Sequence, residues 1–204
     1  HTSDAYQQEY ATLKREWDAA VDAATIKLKG NVLPSDSAVI GAVNRNVPAT
    51  AIAVGAAGSM PGELHKLWRT GAVDGYHMEY GFSCMGYEVS AGIGVHMASP
   101  DRPNVVFAGD GSYLMMNSEL ATAVMMGVSM TLVVTDNRGY GCINRLQVAT
   151  GGAPFNNLLA DAHHEILPEI DFAAHAASLG ARSQKVSSLD ELEEAVLAAI
   201  GRAG

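Results

Sequence analysis

Apolar positions are densest between residues 104 and 141. Val105 to Ala108 and Met130 to Thr135 are short runs of β-branched and apolar residues without polar alternation, the pattern of parallel strands covered by helices on both faces. Between them the spacing predicts a helix over about 112–126, so the stretch reads as one βαβ unit. A third apolar run, Ala49 to Val54, predicts another strand, and Pro34-Ser35-Asp36 reads as the start of a helix reaching about Asn46 before Pro48. Near the end, Asp171 is placed to cap a helix through Leu179 and Gly180 to stop it. Ala181 to Val186 is then expected as a strand, and Ser188-Leu-Asp-Glu191 opens the last helix with capping-box spacing. Tyr80 to Gly94 strings small residues along an expected helix, a device for close packing on a sheet. Residues 5–29 are polar and helix-favouring, with one modest apolar stripe at Leu13, Trp17, Val21 and Ile26. The expectation is an α/β fold: a doubly wound parallel sheet over residues 34–204, preceded by a linker helix within residues 1–33 that lies against a preceding domain.

Composition narrows the class. With 204 residues, 48% of them hydrophobic, the chain can build one ample core. Its 13 basic and 22 acidic residues leave a charge of −9, which argues against nucleic acid or an anionic membrane as partner. Cys84 and Cys142 are too few for a disulfide framework and point to a reducing compartment. There is no apolar run of about 18 residues and no signal pattern at the amino end, so a soluble cytoplasmic protein is expected. A start at His1 rather than methionine suggests a piece of something longer.

Candidate chemistry gathers behind the strands. In open α/β sheets ligands bind outside the carboxyl ends of strands, which puts Gly109-Asp110-Gly111-Ser112 and Asp136-Asn137-Arg138-Gly139 at one edge. The Asp110 carboxylate, the Asn137 amide oxygen and the Gly139 carbonyl are hard ligands, suited to Mg²⁺ bridging a diphosphate. A helix beginning at Ser112 would aim its free N–H groups at the same anion, and glycines flanking Asp110 permit close approach. Gly-Asp-Gly alone is a common turn. What changes the reading is its position after a strand, with an amide residue 27 positions beyond the aspartate. The small-residue stretch Gly55 to Gly62 suits either a ligand or an ordinary loop. Gly92-Ile-Gly94 lacks a preceding strand and a third glycine, which argues against a nicotinamide site. His163, His164 and Glu165 do not share a helix face, so they read as part of a surface loop rather than a zinc site. The whole 142–165 segment reads as irregular, a surface loop or a lid.

This arrangement resembles the diphosphate-binding signature of thiamine diphosphate-dependent enzymes, the group containing acetohydroxyacid synthase and pyruvate decarboxylase. Their motif begins with Gly-Asp-Gly and closes on Asn-Asn; here it closes on Asp136-Asn137, and the second position is the family's usual ligand. The resemblance implies thiamine diphosphate and Mg²⁺ as cofactors, with Asp110, Asn137 and Gly139 on the metal and Gly109, Gly111 and Ser112 around the diphosphate. It also implies diphosphate contacts from Gly58 and Ser59. Met85-Gly86 matches the family's Met-Gly, which makes Met85 the wedge that bends the cofactor and the Ser83 carbonyl an acceptor for its aminopyrimidine. Read without the family, Met85 is a plain core methionine.

The strings HMEYGFSCMGYEVSAGIGV, GDGSYLMMNSEL, and DNRGYGCINRLQ through PEIDFAAHAASLGA further resemble trihydroxycyclohexane-1,2-dione hydrolases, ring-opening enzymes of myo-inositol breakdown. That family implies hydrolytic cleavage of a small cyclic polyhydroxy diketone to 5-deoxyglucuronate, with the cofactor performing the covalent chemistry. Its catalytic glutamate sits on a pyrimidine-binding domain of the same enzyme, contributed across a homodimer or homotetramer interface. Nothing in this chain matches that domain, so the catalytic residue is not identified here. An acetohydroxyacid synthase-like enzyme, a 2-oxoacid decarboxylase or its separate diphosphate-binding subunit would share the same cofactor residues.

Overall fold

The computed structural model describes residues 2–27 and 33–201. Among them, strands β1 (Ile52–Gly55), β2 (Tyr76–Met78), β3 (Asn104–Gly109) and β4 (Thr131–Thr135) form one sheet in the order β2-β1-β3-β4. Every pairing is parallel, with Ala53 opposite Tyr76, Ile52 opposite Asn104 and Gly109 opposite Thr135.

Period two along the strands sorts their side chains between two cores. Ala53, Val105, Phe107 and Val133 face α2 (Asp36–Arg45), α3 (Ser59–Leu67) and α9 (Leu189–Ile200). Ile52, Val54, Val106 and Leu132 face the other way, toward α4 (Tyr87–Ala98). Helices on both faces are what strands without polar alternation require, and the doubly wound α/β expectation holds. Small residues set the packing of α4. A Cβ on Gly92 would stand 2.6 Å from Val106 Cγ2, and the Gly92 carbonyl accepts from the buried Asn104 side chain at 2.6 Å.

Helix α1 (Asp4–Ala24) begins at Ser3, whose hydroxyl accepts from the Tyr6 amide, and its Val21 is buried. Where it ends, Gly41 of α2 admits Thr25 so closely that a Cβ would lie 2.5 Å from Thr25 Cβ. Leu13 and Trp17 remain exposed, and part of the expected 5–29 run lies outside the described residues. No helix among the described residues is long and apolar enough to cross a membrane.

Several expected elements are corrected. The 112–126 helix starts at Asp110 and divides into α5 (Asp110–Met116) and α6 (Ser118–Met125). Asn117 makes the break: its side chain donates to the Leu114 carbonyl at 3.0 Å, competing with the helical ladder. The first strand begins at Ile52 rather than Ala49, because Ala51 closes a turn on the Pro48 carbonyl. The segment expected to be irregular from residue 142 opens with a helix, α7 (Gly141–Ala149); irregular backbone follows from Thr150, with a short 3₁₀ turn at Leu159–Asp161. Strand β2 was not expected, since three residues are too few to show a period.

Ala181 to Val186 forms no strand. Its middle, Arg182-Ser183-Gln184-Lys185, is exposed and offers no apolar alternation to bury. Ser183 donates instead to the Ala173 carbonyl at 2.6 Å. The segment bounds a cleft of about 1460 Å³ between β4, α9 and α8 (Phe172–Ser178). The flanking caps are as read: Asp171 accepts from the Ala174 amide, Gly180 turns at φ +91°, and Ser188 accepts from the Glu191 amide.

Two substitutions in α4 test the packing account. Gly92→Ala should destabilise the chain by about 1–3 kcal/mol through overpacking. Gly94→Ala, exposed and with open space around it, should raise stability by up to about 1 kcal/mol through helix propensity. Urea unfolding of the two variants distinguishes them by sign.

Candidate functional site

The strand order reverses direction between β1 and β3, and the crevice outside their carboxyl ends is the place where open α/β sheets take ligands. The β1 edge supplies Gly58 and Ser59, the β3 edge Gly109 to Ser112, and the adjoining β4 edge Asn137 and Gly139.

Asp110 is the first residue of α5 and is only 6% exposed. Its Oδ2 accepts from the Gly139 amide at 2.8 Å, joining the ends of β3 and β4. Burial pushes its carboxyl up from the ordinary range; the Gly139 and Gly111 amides pull it back, and neighbouring Asp136 adds a further upward push. Such a buried anion with a second carboxylate beside it is a natural seat for a cation.

The corner that delivers Gly139 is held by several hydrogen bonds. Asp136 Oδ1 accepts from the Arg138 amide at 2.9 Å, a role an aspartate oxygen fills as well as an asparagine oxygen. Arg138 has φ +61° and Gly139 φ +143°. At Gly139 a Cβ would meet the Asn157 carbonyl at 2.5 Å, so only glycine fits. Bonds from Tyr140 N to Asn157 O and from Leu159 N to Arg138 O tie the corner to the irregular segment beyond α7. Asn137 is exposed beside this corner, with its amide against Gly141.

On the opposite side, Gly58 at φ +98° has open space where a Cβ would stand, and it caps α3, which starts at Ser59. Gly111, half-buried Met85 and Tyr140 converge: a Cβ on Gly111 would lie 2.7 Å from the Tyr140 ring and 3.3 Å from Met85 Cε. Met85 belongs to neither core and lies at this convergence. Ser83 is exposed at φ +53°, and Ser112 is buried in the first turn of α5. Of the sequence-expected residues, the structure brings Asp110 to Gly139 and Met85 to Gly111.

Three residues that shape the site escaped the sequence reading. Glu88, 1% exposed, accepts from the Ala57 amide at 3.3 Å and the Gly86 amide at 2.9 Å, linking the β1 loop to the start of α4. The available signal was a lone acid in an otherwise small and apolar helix. Glu79 accepts from the Phe82 and Cys84 amides. Tyr140, whose ring lies against Gly111, carries no sequence signal of its own. Tyr113 ties α5 to α8: it is 1% exposed, its hydroxyl is 2.8 Å from His175 Nδ1, and its ring meets Phe172 edge-on.

Residues 56–204 match the model of the family described as thiamine pyrophosphate enzyme, C-terminal TPP binding domain. The chain belongs to this family. Thiamine diphosphate is accordingly the cofactor of the domain. Among curated relatives, the chain is 41% identical over 169 residues to the 3D-(3,5/4)-trihydroxycyclohexane-1,2-dione hydrolase of Bacillus thuringiensis (strain Al Hakam), covering 80% of this chain and 26% of that protein. The protein of the same name from Clostridium tetani (strain Massachusetts / E88) is 42% identical over 164 residues, 78% of this chain and 26% of the relative. The chain therefore spans about a quarter of the length of these relatives.

Solved structures agree on the family's fold. The thiamine diphosphate-dependent 4-hydroxybenzoylformate decarboxylase of Rhodococcus jostii RHA1 aligns with a TM-score of 0.74 at 20% identity, covering 88% of this chain and 32% of its own. Benzoylformate decarboxylase from Polynucleobacter necessarius aligns at 0.70 and 24%, covering 88% and 33%. At these identities the likeness shows the fold alone.

Glu88 provides the test of this geometry. Glu88→Ala, which orphans two buried amides and leaves a cavity, should cost about 2–4 kcal/mol in denaturant unfolding. The isosteric Glu88→Gln should cost about 1–2 kcal/mol, since one oxygen still accepts.

Proposed function

We propose that this chain is the cofactor-holding, carboxyl-terminal part of a thiamine diphosphate-dependent hydrolase that opens the ring of 3,4,5-trihydroxycyclohexane-1,2-dione to 5-deoxyglucuronate in myo-inositol degradation. The observation that carries the reading is the buried Asp110 carboxylate clasped by the Gly139 amide at the mouth of the sheet. The names of the relatives at 41–42% identity supply the substrate class, a small cyclic polyhydroxy diketone.

The donor set fits the group. One carboxylate (Asp110), one side-chain amide (Asn137) and one backbone carbonyl (Gly139) suit Mg²⁺, which takes its remaining ligands from phosphate oxygens and water. Gly58, Ser59, Gly109, Gly111 and Ser112 line the diphosphate; the open space at Gly58 and Gly109 supports this. The Ser83 carbonyl and Met85 address the aminopyrimidine and the bend of the cofactor. When bound, thiamine diphosphate supplies the nucleophilic ring carbon and the electron sink that carbon–carbon cleavage requires. The chain's own task is to neutralise, orient and shield.

The rim of the site is apolar and open: Phe82, Met115, Met116, Tyr140 and Ile143 are exposed. We assign this rim to a pyrimidine-binding domain of the same enzyme, presented across a homodimer or homotetramer interface and bringing the catalytic glutamate. Tyr6, Tyr10, Leu13 and Trp17 of α1 are exposed on a stripe that ends in buried Val21, which supports residues 1–33 as a linker helix from a preceding domain, with 34–204 as the cofactor domain. Free cysteines at 84 and 142 support a cytoplasmic location.

The complete enzyme with Mg²⁺ and thiamine diphosphate should consume the trihydroxy dione, yield an open-chain acid, and release no CO₂ from pyruvate; the reverse outcome would move the chain to the synthase and decarboxylase branch. Asp110→Ala in that enzyme should weaken Mg²⁺-dependent cofactor binding by at least about 100-fold in calorimetry, as removal of a charged ligand implies. The 204-residue chain alone should show no turnover under the same conditions.

A further inference from the structure

We propose that Glu79 is a positioning residue for the cofactor: its carboxylate sets the backbone of residues 80–84 and so fixes where the Ser83 carbonyl stands. The inference rests on the preceding reading, in which that carbonyl accepts from the aminopyrimidine.

Glu79 is tied to the sheet, its amide donating to the Gly55 carbonyl at 3.3 Å, one residue past β2. From that anchored position its two oxygens reach separate amides. Oε1 accepts from Phe82 N at 2.8 Å and Oε2 from Cys84 N at 2.7 Å, the short distances of charge-assisted bonds. The Cys84 and Phe82 amides hold the Glu79 carboxyl below the usual carboxylate range, and the Ser83 amide adds to them. Successive backbone N–H groups turned on one anion form a nest, a conformation that exists because the anion is there.

Ser83 lies at the centre of the nest with φ +53°, a region that non-glycine residues avoid unless their surroundings impose it. Residues 80–84 are all exposed in this chain, so packing within the chain does not impose it. The carboxylate does. With the flanking amides committed to Glu79, the Ser83 carbonyl has no donor among the described residues and is free to accept from a ligand.

The test uses the complete enzyme with Mg²⁺ and two calorimetric probes: thiamine diphosphate, and an analogue whose pyrimidine lacks the exocyclic amine. Wild type should bind the amine-bearing cofactor more tightly. E79Q, which keeps one acceptor oxygen and turns an NH₂ group on the other amide, should weaken thiamine diphosphate by about tenfold. The analogue should change by less than about twofold, because it makes no bond for the loop to position. E79A should extend the loss in the same direction, with circular dichroism and melting unchanged in both variants. Equal weakening of both probes would make Glu79 a support for folding only and overturn the proposal, as would unchanged binding of both. A wild type that binds neither probe would overturn the cofactor reading itself, and the proposal with it.

Discussion

The amide of Gly139 donating into the buried carboxylate of Asp110 joins two residues 29 apart in the chain, each just past the end of a strand, and the candidate site depends on that bond. It satisfies half of a carboxylate that burial would otherwise make costly, and it draws the 136–140 corner over the mouth of the sheet. Everything that makes the bond possible is local strain supported from outside. Gly139 adopts a dihedral that L side chains rarely adopt, Arg138 is left-handed, and the Asn157–Leu159 segment packs where a Cβ on Gly139 would be.

Asp110, Glu79 and Glu88 share a design. Each carboxylate accepts backbone amides and shapes a loop at the site: Asp110 takes Gly139, Glu88 takes Ala57 and Gly86, and Glu79 takes Phe82 and Cys84. A chain of net charge −9 thereby organises a site for an anionic cofactor, because N–H dipoles within hydrogen-bond distance outweigh distant charge.

The sheet is less complete than its pattern implied. At β4 the polar run Arg182 to Lys185 stays outside the ladder, leaving a cleft against α8 and α9 where a further strand was expected. On the other face α4 lies close because Gly92 lacks a side chain, and that closeness brings Glu88 and Gly86 to the β1 loop.

What the sequence determined by itself were the features encoded within a few residues. The apolar runs at 105–108 and 130–135 marked β3 and β4, Ser35, Asp171 and Ser188 marked helix starts, and Gly-Asp-Gly with an asparagine 27 positions on marked the sheet edge where Asp110 meets Gly139. Those signals are local because hydrogen-bond periodicity and capping act over one or two turns. The tertiary structure alone decided that Glu79 and Glu88 serve backbone amides, that Met85 meets Gly111 and Tyr140, that Asn117 divides a helix, and that residues 181–186 lie outside the sheet. Each of these turns on which groups a side chain meets across the fold, and a carboxylate in the sequence does not state which amides will need it.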